Sequence, residues 1–114
     1  MPDQRGIAVS HYLFRASYTV DGIKGVVKEG ASARATALKG LVEGLGGKLE
    51  AMYWAFGEDD VILIAELPDN ATAAAIATTV SASGAVSLST TVLLTAEEME
   101  AAGKIQVGYR PPGA

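Results

Sequence analysis

The chain has 114 residues, enough for one domain and too few for two, and its 49% hydrophobic against 19% charged content is that of a folded chain with one core. It has no cysteine, which rules out disulfides, thiolate metal centres and cysteine nucleophiles, and its net charge of −4 with scattered basic residues argues against a nucleic-acid partner. Neither a signal-peptide pattern at Met1–Ser10 nor an apolar run near the roughly 18 residues of a membrane span is present, so a cytoplasmic protein with no membrane partner is expected.

Residues 1–10 are expected to be a flexible N-terminal segment. His11 to Thr19 alternates as a strand, with Tyr12, Phe14, Ala16 and Tyr18 on one face and His11, Leu13, Arg15 and Ser17 on the other. Asp21 is placed to cap a short helix starting near Ile23, which Gly30 ends or bends. Ser32 is a second candidate cap. After it Leu38, Leu41, Val42 and Leu45 share one helix face, and Gly46-Gly47 stops the helix. Lys48 to Phe56 alternates again, setting Leu49, Ala51, Tyr53 and Ala55 against Glu50, Met52, Trp54 and Phe56. The polar turn Gly57-Glu58-Asp59-Asp60 leads at once into a strand from Val61 to Leu67, a hairpin arrangement. Asp69 or Asn70 then caps a helix carrying Ala73, Ile76, Ala77 and Val80. Gly84 ends that helix, Val86 to Leu94 is a last strand, and Thr95 caps a short acidic helix over 96–102. Residues 103–114, ending in Arg110-Pro111-Pro112-Gly113-Ala114, read as an extended tail because proline blocks helix and ladder alike.

The order β-α-β-β-α-β over residues 11–102 predicts an α+β, ferredoxin-like domain, with a four-stranded antiparallel sheet, helices on one face and the first and third strands central. Tyr12, Phe14, Tyr53, Val61, Leu63, Val86 and Leu88 are then expected to face the helices. The opposite face is expected to carry Leu13, Met52, Trp54, Phe56, Ile62 and Ile64, an apolar area too large for a monomer to leave open. A second copy packing sheet to sheet about a twofold axis would cover it, making the protein its own partner. The alternative cover is the C-terminal tail.

Leu45-Gly46-Gly47-Lys48-Leu49, Gly57-Glu58-Asp59-Asp60-Val61 and Leu67-Pro68-Asp69-Asn70, with Arg34 and Thr91, resemble the GYD domain family of small bacterial proteins over about Tyr12 to Glu100. The Gly-Tyr-Asp element corresponds to Glu58-Asp59-Asp60 after Gly57, with Asp59 where the tyrosine would stand and Asp60 keeping the acidic position. The resemblance implies a ferredoxin-like domain that assembles as a dimeric α/β barrel. It implies no settled activity, since relatives of the broader fold include cofactor-free monooxygenases, haem-handling enzymes, isomerases and ligand sensors.

His11 is the only histidine, and it shares a sheet face with Arg15 and Glu66. In an antiparallel pairing of the first and third strands His11 is near Glu66. A carboxylate orienting an imidazole makes a general base, and Arg15 is suited to hold an anionic substrate, which together form a catalytic candidate. The competing reading has these side chains rim the sheet and bridge a dimer. Tyr53 and Trp54 are candidate pocket-lining residues on opposite faces, against a plain packing role. No metal site is expected, because three consecutive acids at 58–60 splay apart and Glu97, Glu98 and Glu100 read as a solvated helix face. No cofactor is expected either: the glycines before Lys48 follow a helix and precede a strand, the reverse of a phosphate loop. The leading expectation is a homodimer that binds a small molecule. The alternatives are a cofactor-free enzyme using His11 as base and a purely structural assembly protein.

Overall fold

The computed structural model describes residues 9–114. The expectation of a flexible 1–10 segment lies outside the described residues except at its end, where Ser10 already belongs to the first strand. The elements are β1 (Ser10–Tyr18), α1 (Val20–Glu29), α2 (Ala31–Gly44), β2 (Lys48–Trp54), β3 (Val61–Leu67), α3 (Asn70–Ala82), β4 (Val86–Leu93) and α4 (Ala96–Gly103). The sheet is antiparallel in the order β2-β3-β1-β4, so the expected ferredoxin-like arrangement with β1 and β3 central is present.

Two helix starts differ from expectation. Thr19, not Asp21, caps α1, its hydroxyl accepting from the Gly22 amide, while Asp21 sits in the first turn where its charge suits the helix dipole. Gly30 at φ 95° stands at the start of α2 in place of Ser32 and offers no side-chain cap. Asp69 caps α3 through its carboxylate, and the Thr72 hydroxyl and amide that donate to it hold its pKa below the usual range. Thr95 and Glu98 form a reciprocal capping box on α4.

The core lies between the sheet and α2 and α3. Tyr12, Phe14, Val42, Ala65, Leu67 and Ala73 are buried together, with Leu63, Ile76 and Leu88 packed against them. The Tyr12 hydroxyl donates to Asn70 Oδ1 at 2.6 Å, so the one polar atom of this aromatic is satisfied at the start of α3.

β2 departs from plain alternation. Leu49 pairs with Ala65 but Ala51 pairs with Ile64, so Glu50 is an extra residue, a β-bulge. From Ala51 onward every side chain is turned over. Met52 and Trp54, expected on the open face, stand opposite Leu63 and Val61 and therefore on the helix side. Tyr53, expected in the core, pairs with Ile62 on the open face and is 71% exposed. Phe56 lies beyond the strand and is fully exposed. The Trp54 ring stacks on Tyr18, with centroids 6.2 Å apart. Because Glu50 is the supernumerary residue, deleting it leaves Leu49 and Met52 facing the helices and only straightens the strand. We expect that deletion variant to fold within about 2 kcal/mol of the parent in chemical denaturation, with the Trp54 fluorescence maximum unchanged. Unfolding of the variant would show instead that the alternation is continuous and the register wrong.

The C-terminal tail does not cover the sheet. Residues 104–114 are exposed throughout, Ile105, Val107 and Tyr109 included.

Candidate functional site

The open face of the sheet brings together the one histidine and two glutamates. His11 on β1 is the direct cross-strand partner of Glu66 on β3, in the neighbourhood expected of an antiparallel β1/β3 pair. Glu50 reaches across from β2, and its Oε2 lies 3.1 Å from His11 Nδ1. Among the described residues this is the group of three in which one imidazole nitrogen and one oxygen from each carboxylate all lie within 4.8 Å of one another. Its side chains are partly buried, with 23% exposure at His11 and 31% at Glu50. Lys48 is the cross-strand neighbour of Glu66 on the far side. Glu98 lies close enough to feel His11, but its carboxylate already accepts from the Thr95 amide in the capping box, and Thr95 holds its pKa below the usual range.

Glu50 did not emerge from the sequence. Its face was legible, but contact with His11 needs β3 to lie between β2 and β1 and a bulge to reorient the side chain, and no local pattern states either.

Arg15 shares this face with His11 but is drawn the other way. Its Nε donates to Asp59 Oδ2 at 2.9 Å. The turn that holds Asp59 is laced onto the end of β1: the Asp60 amide donates to the Ala16 carbonyl, the Tyr18 amide to Asp60 Oδ2, and the Ser17 hydroxyl to the Glu58 carbonyl. The acidic residues at 59 and 60 thus serve the hairpin and β1, and the aspartate standing in place of tyrosine has an ion-pair role of its own. His11 with a carboxylate partner has the composition of a general base, with Glu50 in the contact position and Glu66 opposite.

A second site lies on the other side of the sheet. Phe14, Tyr18, Leu38, Leu41, Ile76 and Leu88 are among the residues lining an apolar cavity of about 60 Å³ between the sheet and α2 and α3. It opens past Tyr18, Arg34, Val80 and Val86, which it shares with an outer cleft of about 570 Å³. The cleft is bounded by α1, the start of α2 and the end of α3, with Asp21, Glu29 and Thr79 on its walls. Arg34 therefore stands at the junction of an enclosed apolar chamber and a wider outer cleft that carries a few polar groups on its walls. Of the two aromatics expected to line a pocket, Trp54 backs the Tyr18 ring at the edge of this chamber, whereas Tyr53 faces away from it.

The architecture is that of a ferredoxin-like α+β domain, a four-stranded antiparallel sheet with the core helices α2 and α3 packed on one face. The GYD domain model matches residues 12–102, and the chain belongs to that family. No curated protein and no solved structure matches the chain. No helix among the described residues is long and apolar enough to cross a membrane.

Proposed function

We propose that the protein is a homo-oligomeric domain that binds a small molecule, the ligand entering between the helices and the sheet. The observation that carries this reading is the junction at Arg34. A guanidinium in the first turns of α2 sits at the positive end of the helix dipole, where a cation is disfavoured, and α2 has neither a side-chain cap nor an acidic residue in its first turn to offset it. Among the described residues Arg34 has no ion-pair partner within 4 Å. The apolar chamber behind it, at about 60 Å³, takes no more than the end of a short alkyl chain, and the outer cleft of about 570 Å³ takes the rest of the molecule. The ligand class that fits is a small molecule with an apolar body and a carboxylate at one end.

Thermal unfolding with a graded series of straight-chain and aryl monocarboxylates tests the reading. A saturable rise in melting temperature is expected for the best-fitting member, and Arg34→Ala is expected to remove it while the ligand-free protein melts where it did before. A flat response across the series would leave assembly alone as the role of the domain.

A further inference from the structure

We propose that His11, Glu50 and Glu66 form a binding site for one divalent first-row transition-metal ion on the open face of each sheet. This site is separate from the chamber at Arg34 and does not depend on it.

The donor set is one nitrogen and two oxygens. Metal–ligand bonds of about 2.0–2.2 Å place two donors on a shared ion roughly 3.3 Å apart. The His11–Glu50 pair already stands at 3.1 Å, and the third donor lies within 4.8 Å, a gap that rotation of one glutamate side chain closes. The backbone beneath these side chains is fixed. His11 and Glu66 are opposed on the two central strands, and Glu50 is the bulged residue of β2, so its side chain joins theirs without a break in the sheet pairing that follows. Bulges commonly re-aim a side chain at a functional position, and this one supplies the second carboxylate.

Charge favours a cation here. Glu50 and Glu66 face His11 from β2 and β3, Glu98 approaches from α4, and the opposing charges on the same face are Lys48, beside Glu66, and Arg15, which Asp59 already pairs. The imidazole selects the class of ion. Magnesium and calcium take oxygen ligands, whereas zinc, cobalt, nickel and ferrous iron accept a mixed nitrogen and oxygen set. Three protein donors leave at least one coordination position open to water or to an exogenous ligand. An ion bound through His11 occupies the lone pair that a general base would need, so this inference and the base-catalysis reading of His11 exclude one another.

Calorimetric titration of tag-free protein with zinc chloride tests the site. One ion per chain is expected, with a weaker response to magnesium. His11→Ala and Glu66→Gln are each expected to weaken zinc binding at least tenfold, while Glu58→Gln in the hairpin turn leaves it unchanged. Affinity is expected to fall on acidification, as protons compete with the ion for its ligand atoms. A zinc-dependent rise in melting temperature that His11→Ala abolishes is the second readout, and circular dichroism of the variants establishes that they fold. Absence of stoichiometric binding by the parent protein overturns the inference. So does zinc binding that survives His11→Ala, which would place the ion on other surface carboxylates.

Discussion

Alanine at Gly47 is expected to destabilise the fold by about 3 kcal/mol, lowering the melting temperature by roughly 10 °C or more, although the side chain added is a single methyl group. Gly47 ends the turn that stops α2. Its amide donates to the Val42 carbonyl and that of Gly46 to Glu43, the paired bonds of a Schellman motif with Gly46 at φ 82°. The turn presses the chain against β3, and a Cβ on Gly47 would stand 2.3 Å from the Glu66 carbonyl oxygen, 2.9 Å from Leu67 and 3.1 Å from Val42. The first of these is backbone in a central strand and cannot swing aside. Two nearby glycines serve as controls, because each isolates a different term. Gly46→Ala meets only the edge of Pro68 but must hold a left-handed backbone, for about 1–2 kcal/mol. Gly44→Ala has open space at the end of α2 and is expected to stabilise by up to about 1 kcal/mol through helix propensity. Denaturant midpoints in the order Gly44→Ala, parent, Gly46→Ala, Gly47→Ala check the series. A Gly47→Ala midpoint at or above that of Gly46→Ala would mean that α2 and β3 are not in contact as described.

The order of elements was legible because each carries its own punctuation. Asp69 and Thr95 precede their helices as caps, the glycines at 46 and 84 follow theirs, and the turn at 57–60 joins two alternating runs. The nearness of His11 and Glu66 followed from topology, since β1 and β3 are the antiparallel central pair, whereas their direct opposition depends on a register that no local pattern states. The failures share one cause. A bulge leaves no mark on hydrophobic alternation, because Glu50-Ala51 reads as one more polar–apolar step whether or not the ladder skips a residue there. The rest of β2, from Ala51 to Trp54, was therefore assigned to the wrong face, whereas β3 and β4 were not affected. Met52, Tyr53 and Trp54 are all large enough to fill either face, so composition could not correct the phase. Arg34 illustrates a different limit. It was recognised through family resemblance, but its position at the mouth of a chamber depends on how α1, α2 and α3 pack, which local patterns do not encode.

With the phase of β2 corrected, the proposed sheet-to-sheet dimer turns on Ile64, and Ile64→Glu is expected to leave the protein monomeric. Ile64 sits mid-strand on β3, with Leu13 of β1 and Ala51 of β2 as direct neighbours on the open face. In an isolated subunit that position is only half-buried, so a glutamate there is hydrated and costs the fold little. In a face-to-face dimer each subunit would bury an unpaired carboxylate near the twofold axis, a penalty of roughly 3–5 kcal/mol per carboxylate, so that association weakens by at least about four orders of magnitude. Trp54→Glu separates interface from core. Its side chain stacks on Tyr18 beneath the helices, so it is expected to lower the melting temperature and leave subunit count unchanged. Native mass spectrometry across a dilution series, read beside melting curves, distinguishes the two variants. An Ile64→Glu protein that stays dimeric would move the interface off the open sheet face, leaving the exposed apolar tail residues Ile105, Val107 and Tyr109 as the next surface to substitute.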